Sequence, residues 1–244
     1  MPFSGLHLSK TYNMHISGFP DFLSSLTSGF TPVLDKSYKA EDYVPIDLSE
    51  ANKEFLNINI SSSEEFSAYM EEFLQKTGAK AAFGGYNEMR NLYRRSALFT
   101  ASPEEDLNRN IHLGIDLWAP HGTAVLAVLD GKLHSFKDNR SFGDYGPTII
   151  LEHYVEDQVF YSLYGHLSRT SLEGLQVGEV FKKGEKIAEL GEPFENGDYA
   201  PHLHFQLVKD LQEKSGDYPG VACRREIDYY LENCPNPQHL LKIA

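Results

Sequence analysis

Cysteine is scarce: the 244 residues hold only Cys223 and Cys234. The stretch between them, "RREIDYYLEN", reads as helix up to Pro235. As helix it would set the two thiols about 16 Å apart, beyond the reach of a disulfide. A disulfide scaffold is thereby excluded, and two reduced thiols accord with a cytosolic protein. Basic residues are also few, 22 Lys and Arg against 35 Asp and Glu, for a net charge of −13. With no local basic patch, that balance repels anionic polymers and excludes nucleic acid as a partner. Long apolar runs are missing too. The opening "MPFSGLHLSKTYNMHISGFP" has neither a basic start nor an apolar run of signal-peptide length, and no later stretch reaches bilayer span. No membrane association and a cytoplasmic location are therefore expected. No period of 20–50 residues repeats, which excludes a solenoid.

What remains is ordinary soluble composition, 41% hydrophobic with a mean hydropathy of −0.39. A chain of this length buries roughly 70% of its unfolded surface, enough for one substantial core. Residues 1–60 are broken by Gly18, Pro20, Pro32 and Pro45 and carry no motif. "SSSEEFSAYMEEFLQKTG" places Phe66, Tyr69, Met70, Phe73 and Leu74 on one helical face, which predicts a helix over about 62–77. Ser61 with Glu64, or Ser62 with Glu65, offers a capping box, and Gly78 a stop. From about residue 110 the texture changes to short β-rich runs between turns, the pattern of an antiparallel β domain. The expected organisation is an N-terminal extension over 1–80, a β domain over 81–220 and a helical tail over 221–244 whose "HLLKIA" docks back.

The chemistry gathers in three places. In "APHLHFQ", an extended chain projects His202 and His204 to one face and Leu203 and Phe205 to the other. In "NIHLGIDLWAPHGT", His112 and Asp116 are four apart, again one face of an extended run. In "YSLYGHLS", Tyr164 and His166 share a face by the same alternation. A catalytic zinc takes three protein ligands and keeps a position for water. His112, Asp116 and one histidine of the 202/204 pair supply that set, leaving two histidines for proton transfer. Trp118 and Tyr164 read as groove or core aromatics, and His7, His15, His121, His134, His153 and His239 as structural or surface residues, with His153 nearest the site.

"HLGIDLWAPHGTAVLAVLDG", "LYGHLS", "VGEVFKKGEKIAELG" and "APHLHFQ", in this order over roughly residues 83–210, resemble the lysostaphin/LytM-type zinc metallopeptidases. The resemblance implies a mainly β fold, an antiparallel, sandwich-like LytM-type core with the site in a groove between loops, flanked by an α-containing N-terminal extension and a C-terminal helix. It implies one zinc per chain held by His112, Asp116 and His204, with His166 and His202 as the catalytic pair. The implied activity is zinc-dependent cleavage of amide bonds in peptides or peptidoglycan fragments, here small ones inside the cell. Two other readings are a catalytically idle LytM-like binding module and a glucose-type phosphocarrier domain. Many relatives carry Glu where this chain has Gln206, and often an arginine and an asparagine near the groove, for which Arg90 and Asn87 are the candidates. The loop "GEPFENGDYAP" puts Glu192, Glu195 and Asp198 before the catalytic strand. Acids beside a cleft would favour a substrate with a free amino group.

Overall fold

A computed structural model describes residues 18–100 and 104–243. The strands are, in chain order, β1 (Tyr43–Pro45), β2 (Ala81–Gly84), β3 (Ile111–His112), β4 (Ile115–Trp118), β5 (Ala124–Leu126), β6 (Gly131–Asn139), β7 (Gly146–Val155), β8 (Gln158–Gly165), β9 (Val180–Phe181), β10 (Lys186–Glu189), β11 (His202–Val208) and β12 (Val221–Ala222). The helices are α1 (Phe19–Ser25), α2 (Ser63–Thr77), α3 (Ile227–Asn233) and α4 (Gln238–Leu241). Eight strands make one sheet in the order β1-β2-β4-β11-β8-β7-β6-β9, and the pairs β5–β10 and β3–β12 stand apart. All pairings are antiparallel except β1 with β2. The fold is thus mainly β with helical flanks, as the sequence leads one to expect.

The strand of the two histidines, β11, runs down the middle of the sheet, with β4 on one side and β8 on the other. Its alternation is realised: Leu203, Phe205 and Leu207 are fully buried in the main core with Leu117, Tyr164 and Ile149. The histidines take the opposite face. A central strand buried on both faces is held in one register, because a slip of one residue would drive both imidazoles into the hydrocarbon side.

The helix expected over 62–77 is α2. Ser62 caps it by accepting from the Glu65 amide, which decides between the two possible capping boxes, and Gly78 closes it with φ 70°. Phe66 and Met70 of α2 pack with Trp118, so the extension leans on a strand of the site. The stretch between the cysteines is helical as expected: a 3-10 turn at Arg224–Glu226 runs directly into α3, which ends before Pro235, and Cys223 itself is extended (φ −90°, ψ 161°). Both cysteines are free and buried. The last residues do dock: Leu240, Leu241 and Ile243 enter the main core, and the Leu241 carbonyl accepts from the Thr31 amide. No helix among the described residues is long and apolar enough to cross a membrane. His7 and His15 lie outside the described residues.

Candidate metal centre

Register aligns the first pair of candidate ligands. On β11, His204 stands opposite Asp116 of β4 and His202 opposite Trp118. His112 reaches the same point from β3, after the chain jogs at Leu113 and Gly114. That jog requires glycine: a Cβ at Gly114 would sit 2.7 Å from the His204 ring, where no side chain fits without moving it.

Three donor atoms converge. His112 Nε2 lies 2.9 Å from His204 Nδ1, and Asp116 Oδ1 is 3.3 Å from the former and 3.1 Å from the latter. Among the described residues, this trio is the group that could hold a metal ion. The outer contacts fix which ring nitrogens carry protons. His112 Nδ1 donates to the Gly85 carbonyl at 2.8 Å, leaving a lone pair on Nε2. Gln206 donates its amide to the Pro219 carbonyl and the Cys234 sulfur, so its oxygen must face His204, and accepts from His204 Nε2 at 2.9 Å. His204 Nδ1 is then also a lone pair. Two lone pairs meet nose to nose beside a carboxylate, a donor set that fits a cation bound between them.

Protonation agrees. Burial, and then the charge of Arg90, pushes His112 down to about 3. Burial works against the charge on Asp116, but the Arg90 guanidinium bonded to it outweighs burial and holds the carboxyl well below its usual range. His112 is therefore a neutral imidazole beside a carboxylate.

His166 and His202 stand beside the trio with ring centroids 4.2 Å apart. His202 Nδ1 donates to the Ala200 carbonyl at 2.7 Å, which turns Nε2 toward Asp116 Oδ1, 3.9 Å away. His166 Nδ1 donates to the Asn196 carbonyl at 2.7 Å, leaving its Nε2 free. Burial lowers both, with the neighbouring His202 adding to the shift on His166. Trp118 stacks on His202 at 5.6 Å and 19°. A cavity of about 330 Å³ opens against Asp116, His166, His202 and His204, walled by Trp118 and Tyr93.

All five sequence-derived site residues therefore meet. Several neighbours do not fit the reading. Tyr164 and His166 do not share a face: His166 has φ 63°, which breaks the alternation at the end of β8, sending Tyr164 into the core and the imidazole into the site. His153 is remote from the cavity, bound to the Asp130 carbonyl and Ser162. The acids of the 191–201 loop are engaged locally. Glu195 accepts from the Arg169 and Glu192 amides, Asp198 accepts from Ser63 and pairs with Arg95, and Glu192 faces His121. None of them lines the cavity, whose carboxylates besides Asp116 are Asp144 and Asp217. Asn87 is an exposed turn residue at φ 55°. Arg90, by contrast, is 1% exposed and bonds Asp116 directly. Sequence reasoning left its role open; the signal was "FGGYNEMR", whose Gly85 makes room for the guanidinium.

One comparison with known proteins bears on this arrangement. Residues 110–216 match peptidase family M23. The resemblance to lysostaphin-type peptidases holds over that stretch, which contains all three members of the trio and both other histidines, while Gly85, Arg90, Pro219 and Cys234 lie outside it. Among solved structures, the catalytic domain of the prophage-encoded M23 protein EnpA from Enterococcus faecalis is similar at 22% identity, over 56% of this chain and 88% of that one, with a TM-score of 0.38. The catalytic domain of lysostaphin from Staphylococcus simulans is similar at 21% identity, over 67% and 96%, with a TM-score of 0.37. No protein of curated function matches the chain.

Proposed function

We propose that the protein is a zinc-dependent hydrolase of peptide bonds, acting on peptides or peptidoglycan fragments, with one zinc per chain on His112, Asp116 and His204. The observation that carries this reading is the pair of facing lone pairs on His112 and His204 beside the Asp116 carboxylate, next to two further neutral imidazoles. A phosphocarrier leaves those opposed lone pairs without a purpose, and an idle binding module leaves five buried polar groups at a cavity without one. The two unpaired thiols accord with work in a reducing compartment.

A bound zinc ion supplies a water of lowered pKa and polarises the scissile carbonyl. His202, with its Nδ1 proton committed to Ala200, would present Nε2 as the base for the attacking water. His166 is set the same way by Asn196, so it donates only once protonated. Its part is to receive a proton and pass it to the leaving amine. Two imidazoles 4.2 Å apart in a buried site do not both hold a charge, so one proton is shared between them during turnover. Trp118 fixes the plane of His202, and Tyr93 stacks on His112 with centroids 6.3 Å apart.

The test is hydrolysis of defined peptides by purified protein. Activity should disappear with a chelator and return with zinc. Protein that cleaves equally well after its metal is stripped refutes the reading.

A further inference from the structure

The carboxylate of Asp116 has two oxygens, and only one of them faces the histidines. Oδ1 points at His112 and His204; Oδ2 receives Nη1 of Arg90 at 2.5 Å. The guanidinium is held at its other end by Glu88, whose Oε2 accepts from Nε at 2.5 Å and whose Oε1 accepts from the Leu48 amide at 3.1 Å. Its path is cleared by Gly85, where a Cβ would lie 1.7 Å from Nη2. Tyr93 and Trp118 enclose the rest, with the Tyr93 hydroxyl 3.4 Å from Nη1 and the Trp118 ring 5.8 Å from the guanidinium carbon. Burying a guanidinium is costly unless its partners are fixed; here Nε and Nη1 are fixed by carboxylates, while Nη2 has no hydrogen-bond partner among the described residues.

A carboxylate with two free oxygens can grip a cation with both; one whose second oxygen is occupied by a charged donor offers a single oxygen. We propose that Arg90, anchored by Glu88, is a positioning residue that restricts Asp116 to one metal-facing oxygen and so keeps a coordination position open for water. This rests on the metal site proposed above. It also gives a reason for the flank: Glu88 and Arg90 lie outside residues 110–216, so the family-matched stretch does not carry the group that sets how its own aspartate binds. The charge balance is consistent, since Glu88 offsets the cation placed near a second cation.

Cobalt(II) in place of zinc reads coordination number directly, because four-coordinate cobalt absorbs visible light far more strongly than five-coordinate cobalt. Metal-stripped wild-type protein titrated with cobalt should take up one equivalent and show intense bands; if none binds, the metal site itself is wrong. Arg90→Lys keeps the charge but replaces the planar fork that engages each carboxylate through its own nitrogen by a single ammonium. It should still bind cobalt, with weakened bands, and zinc-loaded protein should lose on the order of 10–100-fold in hydrolysis, as for other outer partners of metal ligands. Bands of unchanged shape and intensity in Arg90→Lys overturn the proposal while leaving the metal site standing. If a thermal melt shows that variant unfolded, Glu88→Gln decides. Its single amide oxygen cannot serve both the Leu48 amide and Arg90 Nε, and without its charge it holds the guanidinium less firmly, so the bands should weaken in the same sense; unchanged bands there overturn the proposal equally.

Discussion

Each member of the proposed ligand trio owes its free nitrogen or oxygen to one outer contact, and this is testable a residue at a time. Gln206 presents an acceptor to His204 only because its amide is committed to Pro219 and Cys234. Gln206→Leu removes that acceptor and should weaken zinc binding by about 10–100-fold, measured by competition with a chromophoric chelator, while the melting profile of the zinc-free protein moves little. His166→Ala and His202→Ala should keep zinc, by elemental analysis, and lose on the order of 10²-fold or more in rate; a zinc-free His202→Ala would contradict the division of roles. His112, Asp116 and the 202/204 pair were legible because period-two alternation depends only on local spacing, whereas His166, and the choice of His204 within its pair, came from the order of the family-like motifs. Arg90 was legible only as a residue type, because its partner Asp116 lies on β4, which the fold alone brings against β2 just ahead of Arg90, Phe83 against Leu117. The acids at 192, 195 and 198 look like a charged rim in the sequence, but their partners come from elsewhere in the fold, His121, the Arg169 amide, Ser63 and Arg95 among them.

Among the elements, β11 and its two neighbours were readable and the turns that aim the side chains were not. The end of β8 shows why. Alternation predicts one face for Tyr164 and His166, but His166 adopts φ 63°, a conformation costly for a residue with a Cβ, and tertiary contacts decide it: the His166 amide donates to the Tyr145 carbonyl, and its carbonyl accepts from Gly191. Helix α2 was predicted nearly to the residue, since capping chemistry is local. Because Ser62 supplies its cap, Ser62→Ala should cost about 1 kcal/mol in chemical denaturation, with zinc content unchanged.

For the molecule as a whole, the flanks and the family-matched stretch share one core, as Phe22, Leu23, Val33 and Leu34 pack with Leu203, Phe205 and Leu241. Stability should then respond to acid through buried imidazoles far from the metal. Burial pushes His153 down to about 4 from its ordinary 6.5. The unfolded chain therefore binds a proton on this residue before the folded one does. Stability from keeping it neutral is intact above pH 6.5, falls as pH drops from 6.5 to 4, and is flat below. The melting temperature of zinc-free protein should fall across that window, and by less in His153→Gln than in wild type; parallel curves would contradict the assignment.

The most direct test of the metal centre is anomalous scattering at the zinc edge from crystals of protein purified without added metal. The account predicts a single peak per chain, bonded to His112 Nε2, Asp116 Oδ1 and His204 Nδ1, with a fourth position open toward the cavity. A peak elsewhere, no peak at full crystal quality, or coordination through His204 Nε2 would contradict it.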